Sequence, residues 1–281
     1  MKDFTLPNDN KIPALAYGTW LIKNENAKNC VLMALEAGYR HIDTAQAYGN
    51  EVGVGEGIKA SGLKREDIYV TTKVMAEYKS YKKAKKSIDD SLKRLGLDYV
   101  DLILIHCPQP WVLFRSKRRF FKENVEVWKA LEEAYNEGKV KAIGVSNFLV
   151  DDLQNIIDNC HIKPMVNQIL CHIGNTPVDV IKFCQENDII VESYSPIAHG
   201  AALNDAKIQA MAEKYNVSIA QLCIKYTLQL DTISIPKASS KEHIEDNAKL
   251  DFEISQEDMV ELMKLNQFDY GKDSFWPVFH K

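Results

Sequence analysis

The sequence predicts an α/β fold, a (β/α)8 TIM barrel, and three features of the residue pattern lead there. Eight strand-like runs alternate with helix-like stretches at intervals of roughly 30 residues. The runs are short and continuously apolar, as in VDLILIH at 100–106, which suits a parallel sheet covered by helices. No glycine-rich nucleotide turn follows the first run, which argues against a doubly wound sheet.

In chain order, FTLPNDNKIPAL alternates apolar and polar residues about Asn8-Asp9-Asn10, so a β-hairpin is expected ahead of the repeat. Strands are expected at Leu15–Tyr17, Arg40–Ile42, Ile68–Thr72, Val100–Ile105, Val140–Val145, Met165–Ile169, Ile189–Glu192 and Thr232–Ile235. Helical periodicity runs from Glu25 to Ala37, with Val31, Ala34 and Leu35 on one face and Gly38 as the stop. It returns at Lys82–Leu95, where Ile88, Leu92 and Leu95 share a face, and at Val125–Glu137. Thr176-Pro177 with Asp179, and Ser239 with Glu242 in capping-box spacing, are helix starts. GVGEG at 53–57 lacks GxGxxG spacing and opens a helix after a loop, so it reads as close helix packing.

Two segments stand outside the repeat. Cys107 to Lys122 is a proline-containing loop with Arg115, Lys117, Arg118 and Arg119, read as a solvated loop in preference to an anion site. Asn266 to Lys281 has no periodicity but carries Phe268, Tyr270, Phe275, Trp276 and Phe279, so it is expected to pack over the barrel mouth.

The 281 residues fit one barrel domain spanning 1–281. A net charge of −4 and a pI near 6.0 give no electrostatic case for binding nucleic acid. No apolar run approaches the ~18 residues of a membrane span. Met1 is followed by Lys2, Asp3 and Phe4, without the apolar core of a signal peptide. Six cysteines without a CxxC pair suit reduced thiols, so a cytoplasmic protein is expected. Nothing demands assembly, and a monomer is the expectation. Cys160-His161 and Cys171-His172 match no zinc spacing, and Ser193 and Ser195 lie in no GxSxG, so neither metal nor a serine nucleophile is expected.

Chemistry-bearing residues gather where strands end. Asp43 and Tyr48 lie in RHIDTAQAYGNE at 40–51, Lys73 closes IYVTTK, and His106 closes LILIH. In a barrel these positions share the C-terminal face of the sheet. A tyrosine with a pKa near ~10 is a weak acid at neutral pH, and a neighbouring ammonium is expected to lower it. Asp43 would hold Lys73 charged, and His106 would bond the oxygen that Tyr48 serves. The set is a proton donor and oxyanion pocket for a carbonyl gaining negative charge. No side chain supplies hydride, so a nicotinamide cofactor is implied.

HIDTAQAYGNE, VTTK and LILIHCP, with GVSNF at 144–148 and IPK at 235–237, make the chain resemble an aldo-keto reductase over nearly its whole length, similar to the bacterial members. The resemblance implies that Asp43, Tyr48, Lys73 and His106 are the catalytic tetrad. It implies extended NADP(H), with Ser146, Asn147 and Gln168 (and Asp43 beneath) about the carboxamide and Tyr194 stacked on the nicotinamide. Thr19, Trp20, Ser195 and Ile197 would line the cofactor path; Lys237, Ser239, His243, Asp246 and Asn247 would surround the adenosine end. Trp20 and Trp111, with Tyr48 and His106, would contact a small carbonyl substrate. The sequence departs from the pattern at Ala238 in place of serine, at His243 in place of a phosphate-binding arginine, and at Asp246 in place of glutamate. An imidazole offers fewer donors than a guanidinium fork, so weaker discrimination for NADP(H), with NAD(H) also usable, is expected. The rival reading is a cofactor-binding, redox-sensing regulatory subunit on the same barrel.

Overall fold

The computed structural model describes residues 3–265 and 268–279. Strands β1 (Asp3–Thr5) and β2 (Lys11–Pro13) form an antiparallel hairpin turning at Asp9, whose φ of 64° is left-handed. Leu6 and Ile12 from this hairpin are buried and plug one end of the barrel.

The barrel strands follow as β3 (Tyr17–Gly18), β4 (His41–Asp43), β5 (Tyr69–Val74), β6 (Val100–Ile105), β7 (Val140–Ser146), β8 (Val166–Leu170), β9 (Ile190–Tyr194) and β10 (Ile233–Ile235). Each pairs in parallel with its successor. A Leu15–Ser234 bridge and the bond from Gly18 N to Pro236 O (2.9 Å) join the first to the last, closing the sheet.

Helices α1 (Asn24–Glu36), α2 (Glu51–Ala60), α3 (Tyr81–Leu95), α4 (Phe121–Asn136), α5 (Val150–Asn159) and α6 (Val178–Glu186) each follow one strand. Between β9 and β10 lie α7 (Ala206–Lys214) and α8 (Ile219–Gln229); α9 (Lys241–Asp246) and α10 (Gln256–Met263) come after β10.

Six of the eight strands end one or two residues beyond the expected boundary, because ladder pairing continues after the apolar run stops, while β6 and β10 end where expected. The cap of α9 is Ser240, one residue past the expected Ser239; its hydroxyl accepts from His243 N. The loop after β6 ends at Phe120, since Phe121 and Lys122 already belong to α4. That loop is ordered by Gln109, which donates to Ser116 O and Arg118 O and accepts from Arg115 N. Arg119 pairs with Asp151 and Asp152, while Arg115 and Arg118 lie over the rings of Phe114 and Phe120.

The aromatic tail covers the barrel mouth, with the Trp276 ring 5.3 Å from Trp20 and Phe279 fully buried. Asn266, Gln267, His280 and Lys281 of that segment lie outside the described residues.

Strand alternation sorts the side chains. Val70 and Val74 point outward into the sheet–helix core with Trp128 and Phe148. Leu102, Leu104, Ala142 and Val166 point inward. The GVGEG glycines are packing positions within α2. A Cβ on Gly55 would stand 1.9 Å from the Leu95 carbonyl oxygen. Gly55→Ala is therefore expected to lower unfolding stability by about 3 kcal/mol in urea denaturation, near the upper end of overpacking costs. An unchanged midpoint would contradict so close an approach.

Candidate active site

The inward alternation of β4 and β5 places His41 and Asp43, and Thr71 and Lys73, inside the barrel. Lys73 is fully buried, and its Nζ lies 2.7 Å from both oxygens of Asp43. It also donates to Thr44 O at 2.9 Å and to the Tyr48 hydroxyl oxygen at 3.4 Å. An ammonium has three donors, and these three acceptor groups use them all.

Tyr48 sits on a 3-10 turn, Gln46–Tyr48, closed by Gly49 at a φ of 67°. The turn is held from both sides. Asn50 accepts from Thr44 Oγ1 and donates to Thr19 O and Ile22 O. Gln46 donates to Ser87 O and Ser91 Oγ. His106 follows β6 with its ring centroid 5.7 Å from that of Tyr48 and 5.1 Å from that of Trp111.

Electrostatics correct one expectation. Lys73 does not pull the Tyr48 phenol down; burial first, and Asp43 second, hold it well above its ordinary value. The Asp43 carboxylate sits against the ammonium and cancels the field that would have favoured a phenolate. Tyr48 is thus held protonated. Since its oxygen accepts from Lys73, its own hydrogen is free to point into the cavity. Burial, followed by Lys73 and Lys79, holds His106 well below the usual imidazole range, so it is neutral.

Beneath the quartet lies a second polar tier. Gln168 on β8 donates to Asp43 Oδ2 (2.9 Å) and to Glu192 Oε2 on β9 (2.7 Å). Glu192 is fully buried, and its other oxygen has no hydrogen-bond partner among the described residues. Burial, then the Asp43 charge, pushes its carboxyl up to about 8. Sequence reasoning missed Glu192; its signal was a lone acid at an inward position of the apolar strand IIVESY.

A cavity of about 1640 Å³ runs from Trp111 over the quartet to α9. Trp20, Asp43, Tyr48, His106, Ser146, Asn147, Gln168, Tyr194, Ser195 and Ile197 line one end. Lys237, Ser239, His243, Asp246 and Asn247 line the other. Thr19 does not line it: its buried hydroxyl donates to Asp43 O in the barrel wall. Asp246 is partly committed to α8, accepting from Ser218 Oγ and Gln221 Nε2. Three further lining residues carried no signal in the sequence: His199, whose Nδ1 is 2.9 Å from Asp273 of the tail and whose ring packs on Trp20, and Lys241 and Lys249.

The donor set fits a nicotinamide carboxamide. Ser146 Oγ accepts from Asn147, leaving its hydrogen to donate, and Gln168 Oε1 takes no donor among the described residues. Tyr194 is fixed by donation to Asn147 Oδ1 at 2.7 Å, with its ring on the cavity wall. Lysines 237, 241 and 249 surround the far end, as a polyphosphate would require.

A closed barrel with a buried acid–ammonium pair behind a phenol, opening on a cavity of about 1640 Å³, has the parts of a barrel oxidoreductase. Residues 14–267 match the model of the Aldo/keto reductase family, and the chain belongs to that family. It is 40% identical to glyoxal reductase of Bacillus subtilis, over 93% of this chain and 92% of that one. It is 38% identical to 9,11-endoperoxide prostaglandin H2 reductase of Trypanosoma cruzi, over 97% and 95%. An aldo-keto reductase from Bombyx mori, solved in complex with NADP, superposes with a TM-score of 0.87 at 31% identity, covering 100% of this chain and 99% of that one.

The Glu192 carboxyl makes stability depend on pH. Its folded value, about 8, lies above its ordinary 4.5, so its cost to folding is absent below about 4.5 and grows as pH rises toward 8. Glu192→Gln removes that titration. The melting temperature of the variant relative to the parent is expected to rise steadily from pH 5 to pH 8 in paired thermal melts. A difference that stays flat across that range would refute the buried acid.

Proposed function

We propose that this protein reduces small aldehydes and ketones to alcohols with a reduced nicotinamide dinucleotide, NADPH or NADH. The observation that carries the reading is the Tyr48 hydroxyl, whose oxygen lies 3.4 Å from Lys73 Nζ while its side chain lines the cavity beside His106. When bound, the reduced nicotinamide supplies a hydride to the carbonyl carbon. The chain supplies the rest. Trp20 and Trp111 form apolar walls that help exclude water from the carbonyl. His106 donates a hydrogen bond to the carbonyl oxygen as negative charge grows there. Tyr48 passes its proton to that oxygen, and the Lys73 ammonium stabilises the phenolate left behind. The six free cysteines fit a reducing, cytoplasmic compartment.

The Tyr48→Phe variant tests the proton donor. In an assay following NADPH absorbance with a panel of simple carbonyl compounds, turnover is expected to fall at least ~10²-fold with cofactor affinity within threefold of the parent. Turnover kept within threefold would remove Tyr48 from that role.

His243 governs cofactor choice in this reading, since it lines the adenosine end where a 2′-phosphate would lie near Lys237 and Ser239. His243→Arg is expected to raise the NADPH-to-NADH ratio of kcat/KM about tenfold, because a fork binds phosphate through paired charged bonds. An unchanged ratio would place the 2′-phosphate elsewhere.

A further inference from the structure

The buried tier under Asp43 contains a group that the chemistry above does not use. Glu192 touches neither the cavity nor the quartet, yet it is tied to both through one side chain. A primary amide has two N–H donors. Those of Gln168 go to two carboxyl groups on opposite sides, Asp43 on β4 and Glu192 on β9. Rotating that amide by half a turn would set its oxygen against the Asp43 carboxylate and withdraw the donor from Glu192 Oε2. The two bonds together therefore fix its orientation and leave Oε1 facing the cavity with no protein donor among the described residues. One carboxyl alone would not suffice. Asp43 holds a single hydrogen, and the other would be left free to swing the amide about that contact.

We propose that Glu192 is a positioning residue for the cofactor: through Gln168 it aims one carbonyl oxygen at the NH2 group of the nicotinamide carboxamide. This deepens the nicotinamide reading of the site and rests on it. The surroundings fit a carboxyl that accepts without adding charge. Lys73 already pairs with Asp43, and the nearest imidazole, His41 Nε2 at 3.8 Å, is engaged by Thr71 Oγ1 at 2.8 Å. Burial holds His41 neutral, down to about 3, so no cation faces Glu192 at bonding distance. The Tyr69 ring flanks His41 at 4.8 Å and completes the group of titratable neighbours on β4 and β5.

The role separates from simple structural support by the part of the cofactor it senses. Glu192→Leu fills the space but removes the acceptor, whereas Glu192→Gln keeps a carbonyl oxygen at the same reach. Dissociation constants would be measured by titration for NADP+ and for its 3-acetylpyridine analogue, in which a methyl ketone replaces the carboxamide and no NH2 remains. Glu192→Leu is expected to weaken NADP+ about tenfold, the size of one hydrogen bond, and to leave the analogue within twofold of the parent. Glu192→Gln is expected to match the parent on both ligands. Equal weakening of both ligands in Glu192→Leu, no weakening of NADP+, or a Glu192→Gln as impaired as Glu192→Leu would each overturn the proposal. If Glu192→Leu fails to fold by circular dichroism, Glu192→Ala carries the same expectation without added bulk. A parent protein that binds neither ligand would instead defeat the nicotinamide reading itself.

Discussion

The site depends on a buried ion pair. Burying an ammonium costs several kcal/mol unless its charge and all its donors are answered. Here Asp43 answers the charge with both oxygens, and Thr44 O and Tyr48 answer the remaining donors. Removing one partner of such a pair typically costs ~3–5 kcal/mol, so the geometry at the barrel mouth is enforced by the same contacts that hold the mouth together. Burial first, and the pair second, hold its neighbours in their neutral forms. Asp43 quenches the field of Lys73 at Tyr48, which stays a proton donor, while the ammonium still contributes to keeping His106 neutral. In the proposed proton transfer the lysine matters most afterwards, when a phenolate would stand 3.4 Å from Nζ.

Around the pair the barrel is rigid where chemistry needs it. Asn50 and Gln46 clamp the turn that carries Tyr48, and Gln168 ties β4 to β9 through β8. The more exposed parts lie at the cavity rim. Val112 and Phe275 are 91% and 79% exposed there, on the loop after β6 and on the tail. The His199–Asp273 contact joins that tail to the segment following β9.

Much of this was legible in the sequence because barrel strands are short apolar runs and their ends are marked by polar residues. Asp43, Lys73 and His106 stand out for that reason, and Gly55 was readable as a packing glycine. Boundaries were less legible, since backbone pairing carries on past the last apolar side chain; Lys73 is the fifth residue of β5 instead of lying beyond it. The sign of the Tyr48 shift was hidden because it depends first on how completely the phenol is buried and then on how close Asp43 lies, both matters of ångströms. Glu192 escaped notice because its meaning arises from a glutamine on the next strand. The aromatic tail announced its burial by composition, but not which rings would meet Trp20.

That the ion pair serves the phenol's proton transfer is tested most directly by removing both charges together. The double variant Asp43→Asn, Lys73→Met strands no lone charge in the barrel. Single-turnover oxidation of bound NADPH by a reactive aldehyde, followed at saturating cofactor so that only the chemical step is read, is expected to slow at least ~10²-fold. Single-turnover rates within tenfold of the parent would contradict the account.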